Sequence, residues 1–280
     1  MSNKLLFAIL ALALASVACG FSLPQTKSTG PDVTDAISVD APDGEATLAL
    51  SFGAGKLSVV PGADGKLVSG TATYNLPDFK PEVIQSGTDV EIRQGNYKVN
   101  GIPTTQDVKN EWTLELGAAP MSLSVNAGAY EGTLDLGGLS LTNLNVNDGA
   151  AQVTVDFSSP NKVKMNSLRY QTGASNVNLL NLSNANFTSL VFEGGAGNYK
   201  LDFGGTLLRD ASVNIRAGMS NVTLVIPDGL SVQVTVDSGL SNVSTPAGWT
   251  KNGDVYRQDA SGAMLTIVIE VGAGNVQIIR

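Results

Sequence analysis

The chain has 280 residues, 31 of them glycine, only 15% charged, a formal net charge of −8 and no histidine. Such a composition, with Val, Leu, Thr, Ser and Asn throughout, fits an all-β protein with many turns. The missing imidazole excludes a Ser/His/Asp triad, His-ligated zinc and a histidine general base. An acidic surface without a basic cluster repels phosphate backbones, so nucleic acid is not an expected partner.

The first residues, "MSNKLLFAILALALASVACG", place Lys4 before an apolar run from Leu5 to Ala15 and small residues before Cys19. The run is too short to cross a bilayer as a stable helix and reads as an export signal. The segment resembles a bacterial lipoprotein signal in which "SVAC" is the lipobox. That resemblance implies removal of residues 1–18, lipid on the sulfur of Cys19 and an extracytoplasmic, membrane-anchored chain. Cys19 is the sole cysteine, so it has no disulfide partner within the chain; an ordinary cut after Ala18 that leaves a free thiol is the alternative. Residues 19–44 lack periodicity, are rich in Pro, Gly, Ser, Thr and Asp, and read as a lipid-attached flexible tether.

Residues 45–110 carry the β runs "SFGAGKLSVV", "KLVSGTATYN", "FKPEVIQ" and "TDVEIRQ", interrupted by Pro77 and Pro81 and followed by the loop "NGIPTTQDVKN". They predict an N-terminal β subdomain, continuous with or packed on the repeats of 111–280.

The repeats are legible once a glycine in each is set as position zero: Gly53, Gly128, Gly149, Gly173, Gly195, Gly218, Gly239 and Gly272. Residues five and three before it are apolar, as in Leu190/Phe192 and Ile267/Ile269. Residues four and six after it are mostly apolar, as in Val177/Leu179 and Val222/Leu224, with Gly132 and Thr245 as exceptions. Each unit is therefore a period-two strand, a corner and a second period-two strand facing the same core. Glycine suits a corner that needs positive φ. From Gly128 the intervals are 21, 24, 22, 23, 21 and 33 residues, the step of stacked coils that bury one another's edges. This predicts a β-solenoid. An antiparallel sandwich of hairpins is the alternative, because strand–corner–strand does not say whether strands pair within or between units.

Position +3 holds Asn176, Asn198, Asn221, Asn242 and Asn275. Coils stacked about 4.8 Å apart place these amides over one another in a hydrogen-bonded structural ladder. Position +7 holds Asp135, Asp156 and Asp202, a candidate acidic face on which the first two come within about 5 Å. Solvated carboxylates are the plain reading; a bound calcium or an acid/base pair acting on a polysaccharide are the sharper ones. The long last interval contains "GWTKNGDVYR", where Asn252-Gly253 signals a hairpin near 246–258. Its Trp249 and Tyr256 serve to cap the stack or to stack on a ligand.

The order "GAGKLSVVPGADGKLVSGTATYN", "EWTLEL", "GAYEGTLDLGGLSLTNLNVNDGAAQVTVDF", "GGAGNYKLDFGG" resembles the toast-rack domains of the cell-wall-active antibiotics response proteins and the related bacterial adhesin repeats. The likeness covers about residues 45–280 and implies a β-solenoid at the cell envelope, tied to envelope-stress sensing or surface interaction. Taken together, the sequence predicts a non-catalytic, lipid-anchored binding or scaffold protein without cofactor. Its expected partners are the membrane, through the lipid, and an envelope protein or glycan. The alternative is a polysaccharide hydrolase or lyase using the aspartates.

Overall fold

The structure, a computed structural model, describes residues 29–95 and 108–280. Cys19, the export signal and most of the predicted loop before residue 110 lie outside that range. Fifteen strands are found among the described residues: β1 Val33–Asp40, β2 Ala46–Pro61, β3 Lys66–Tyr74, β4 Pro81–Ser86, β5 Asp89–Gln94, β6 Asn110–Leu116, β7 Met121–Asp135 and β8 Leu141–Asp156, then β9 Met165–Leu180, β10 Phe187–Asp202, β11 Ala211–Val225, β12 Ser231–Ser244, β13 Thr250–Asn252, β14 Val255–Gln258 and β15 Met264–Ile279. None of the described helices is long and apolar enough to cross a membrane.

The eight strands that carry a corner glycine form the body. They stack in parallel in the order β2-β7-β8-β9-β10-β11-β15-β12. Strands thus pair between units and not within them, which makes the molecule a solenoid with an open mixed sheet, not a sandwich of hairpins. Register is kept rung by rung: Leu168↔Leu190↔Val213↔Ile267 before the corner and Val177↔Tyr199↔Val222↔Val276 after it. Both sets are buried, because the bend turns the two halves of each strand toward one another. Phe192 and Tyr199, three before and four after Gly195, have ring centroids 4.9 Å apart across that bend. Buried Leu136, Phe157, Phe203 and Ile226 in the return segments close the third side.

The corner glycines are not where sequence reasoning places the unusual backbone. Positive φ occurs two residues later, at Gly55, Gly197 and Gly274. What excludes a side chain at position zero is the neighbouring rung. A Cβ on Gly195 would stand 2.4 Å from the carbonyl oxygen of Gly173, and one on Gly128 2.4 Å from that of Gly53.

One domain expectation is corrected. The stretch 19–44 contains β1, which pairs antiparallel with β3 from Val33↔Tyr74 onward. Its inward alternation is only Ile37 and Val39, both buried, too short a pattern to signal a strand alone. The expected tether, where described, is thus partly sheet. Of the two arrangements expected for residues 45–110, the structure has the continuous one: β2 is a full rung in register with β7 and one hydrophobic cluster runs from Ile37 to Ile278.

Beyond β2 the stack divides. β5 continues its first half and β6 its second, both parallel, and β4 and β3 then add antiparallel. With no further corner to stack on, Gly53 N–H donates to the Gln94 side chain at 2.9 Å. The Asn110 amide donates to Ala54 O at 2.7 Å and to Gln94 Oε1 at 2.8 Å. Two amides therefore stand in for the missing corner. Phe52 meets Trp112 edge-on at 5.1 Å and fills the apolar space beneath. At the other end β14 pairs antiparallel with β12, and β13 with β14. Tyr256 is buried there and carries Lys251 Nζ 5.0 Å over its ring, while Trp249 packs on the core. The hairpin aromatics are used for capping.

Replacing Gly195 with Ala forces a rung apart and is expected to cost about 1–3 kcal/mol in urea unfolding. Gly53→Ala, whose Cβ would meet only the Gln94 side chain, is expected to cost less.

Candidate functional site

The corner builds a regular outer surface. At +3, Asn198 Nδ2 donates to Asn176 Oδ1 at 2.9 Å, Asn221 Nδ2 to Asn198 Oδ1 at 3.0 Å, and Asn275 Nδ2 to Asn221 Oδ1 at 2.9 Å. The bonds all run one way, so each amide polarises the next. Asn242 joins the column through its backbone register with Asn275; its side chain lies outside what the structure describes. Asn tolerance of left-handed backbone is used elsewhere, at Asn181 (φ 54°) and Asn186 (φ 58°), which flank the return turn between β9 and β10.

On the other side of the glycine column, two residues before each corner, stand Asn147, Gln171, Glu193, Arg216, Glu270 and Asp237. With the glycines as floor they line an open furrow of about 820 Å³ along the stack. Glu193 organises its centre: Arg169 lies 2.7 Å away, Gln171 Nε2 donates at 2.6 Å, and Arg216 lies 3.7 Å away while also reaching Glu270 at 3.1 Å. These groups are exposed enough that their pairing orders side chains more than it stabilises the fold. Periodicity alone does not reveal the row, because its residue types vary. Aligning the corners would have shown that position −2 is polar in every rung.

Among the described residues one buried carboxylate breaks the apolar interior. Asp148, 6% exposed, occupies position −1, filled in neighbouring rungs by Ala127, Thr172 and Gly194. Tyr170 Oη donates to its Oδ2 at 2.6 Å, and the Thr172 hydroxyl donates to Oδ1. The Thr172 and Ser175 hydroxyls are hydrogen-bonded to each other at 2.6 Å, with Ser175 donating because the single Thr172 proton goes to Asp148, and Ser175 Oγ accepts Ala151 N–H at 2.8 Å. Tyr130 and Tyr199 pack around the same carboxylate. Burial first, and then the charge of Asp148, pushes both their phenols upward; Tyr170 is pushed up by burial, then by Tyr130 and Asp148.

The predicted acidic face is assembled in part. Asp135 and Asp156 are register partners on β7 and β8, whereas Asp202 sits two rungs beyond Asp156, with Leu180 between them. All three are half-buried and tie strand ends to return loops. Asp135 accepts from Gly137 N at 2.9 Å and Ser158 Oγ at 2.7 Å, Asp156 from Asn181 Nδ2 at 2.7 Å, and Asp202 from Gly204 N at 2.8 Å. These are turn-closing bonds. Among the described residues no group of three metal-ligating side chains comes together.

Removing the Asp148 carboxylate leaves buried hydroxyls without an acceptor, so Asp148→Ala is expected to cost about 2–4 kcal/mol in denaturant unfolding. Asn198→Ala, in the exposed ladder, is expected to cost about 1 kcal/mol. The folded pKa of the three phenols lies above the unfolded value near 10. Their contribution to stability is thus complete below about pH 10 and is lost as pH rises past it. Phenolate absorbance should show these tyrosines ionising only as the fold is lost in alkali.

A solved structure of a putative cell adhesion protein from Clostridium sporogenes ATCC 15579 superposes with a TM-score of 0.53 at 22% identity, covering 89% of this chain and 99% of that one; the fold is shared with it. Putative adhesins from Parabacteroides distasonis ATCC 8503 and Bacteroides fragilis NCTC 9343 match with TM-scores of 0.40 and 0.35 at 10% and 11% identity. They cover 91% and 92% of this chain and 99% of each of theirs. No curated protein sequence matches the chain. The family model described as the N-terminal domain of toast_rack, DUF2154, matches residues 27–167 and 160–225. With more than half of its length matched to that model, the chain belongs to the toast-rack family.

Proposed function

We propose that this chain is a non-catalytic binding protein of the bacterial envelope. In this reading it is held at the membrane by lipid on Cys19 and grips an extended, hydroxyl-rich polymer, an envelope glycan, along the furrow. The observation that carries the reading is the furrow itself. Its floor combines glycine backbone with Thr172, Ala217 and Val271, and its wall presents amides, carboxylates and a guanidinium at one level per rung. Planar donors and acceptors at a repeat of about 4.8 Å suit a chain of hydroxyls lying parallel to the stack, and a volume of about 820 Å³ is within the range of ligand sites. The use of Asp135, Asp156 and Asp202 in turn-closing bonds supports binding over hydrolysis. The description of the clostridial structure as a putative cell adhesion protein points the same way.

The chain carrying Cys19→Ala, mixed with purified insoluble wall polysaccharide, is expected to sediment with it. The double change Gln171→Ala with Arg216→Ala should weaken that retention at least tenfold while leaving the unfolding free energy within about 1 kcal/mol of the parent. Retention that is absent, or unchanged by the double variant, would overturn the furrow as the binding surface. In cells, Cys19→Ala should move the protein from the membrane fraction to the soluble extracytoplasmic fraction; a protein still held in the membrane fraction would refute the anchor.

A further inference from the structure

From β7 to β11 the rungs stack in chain order, and then the order breaks. β15 lies between β11 and β12, pairing in parallel from Ala211↔Leu265 to Val225↔Ile279 on one side and from Ser231↔Met264 to Ser244↔Gln277 on the other. Both walls of its seat precede it in the chain, so the seat is specified before the strand that fills it.

The walls are also in step with each other. Asn221, Asn275 and Asn242 occupy one level, so β11 and β12 present matching pleat and matching corners to whatever lies between them. A strand that fits must run about fifteen residues, with a bare corner, an amide at +3 and apolar residues at −5, −3, +4 and +6. β15 supplies these as Gly272, Asn275, Ile267, Ile269, Val276 and Ile278. A second copy of this chain carries the same strand.

The ties that seat β15 are of a kind any copy's β15 can form. Asn275 Nδ2 donates to Asn221 Oδ1 at 2.9 Å, Glu270 meets Arg216 at 3.1 Å, Met264 N–H donates to Asp210 Oδ1 at 2.8 Å, and Ile279 O accepts Ile226 N–H at 2.8 Å. The link to the rest of the chain is residues 259–263, outside any strand and with Gly262 at φ +104°. Short links of this kind favour exchange of an element between copies over folding back.

We propose that the gap between β11 and β12 is a strand-acceptor slot and that β15 is exchangeable, so that two copies of this chain pair by trading β15. Five extended residues reach about 17 Å, which puts the two stacks side by side with their return faces together. β15 also supplies Glu270, Val271 and Gly272 to the furrow, so after the exchange those lining residues come from the other copy.

The register pair Thr223↔Gln277 provides the test, since adjacent strands hold such positions within disulfide range. In chains with Cys19→Ala, one copy carries Thr223→Cys and the other Gln277→Cys. Refolded together at rising concentration and oxidised, they are expected to give a disulfide-linked species of twice the chain mass that neither gives alone. Mixing Arg216→Glu with Glu270→Arg should raise the dimer share several-fold over either variant alone, because each slot then meets a strand of opposite charge. The proposal is overturned if the mixtures stay monomeric while a single chain bearing both cysteines closes its disulfide internally at every concentration. It is overturned equally if the charge-swapped pair yields no more dimer than its parts.

Discussion

The carbonyl oxygen of each corner glycine stands where a side chain on the next corner would have to be. That close approach, 2.4 to 3.2 Å to a hypothetical Cβ at six of the corners, fixes the rest of the molecule. It admits only glycine at position zero, locks successive rungs into one register, and thereby lines up every other position in columns. A register slip of a single residue would put the apolar set in water and the polar set in the core. Regularity at the corner is thus the condition for a continuous core, not an ornament of it.

A stack so regular has a difficulty at its ends, where an unpaired rung invites further pairing. The two ends meet it differently. At β2 the next rung is replaced by two separate strands, β5 and β6, with Gln94 and Asn110 bridging the opening at the corner. At β12 a hairpin lies along the first half of the strand and buries Tyr256 against it. Neither end repeats the corner in the way the body does.

Polar groups divide by depth. The amide ladder and the furrow row are at the surface, where repeated bonds between neighbours order side chains and present one chemical group per rung. Asp148 lies inside, where its charge is tolerated because Tyr170 and Thr172 donate to it directly. Such a network raises the penalty for any alternative packing of β8, β9 and β10, since each rearrangement would strand a buried donor or acceptor. The surface columns and the buried carboxylate therefore serve one end: a rigid rod whose outer face keeps its spacing.

The all-β class, the glycine corners, the inward-facing apolar positions and the recurrence of Asn at +3 are determined by the sequence alone, because period-two patterning and a near-constant step mark them whichever way the strands pair. Three matters are decided only in three dimensions. β1 is a strand because β3 is there to pair with it, whereas Ile37 and Val39 by themselves are too little pattern. Asp148 becomes a buried anchor because Tyr170 arrives from the next rung, at a position where Ala127 and Gly194 signal nothing polar. The seat of β15 between β11 and β12 is invisible in sequence for a physical reason. Gly218, Gly239 and Gly272 head equivalent corners, so each rung fits beside either of the others, and only the path of the connecting loops selects the order.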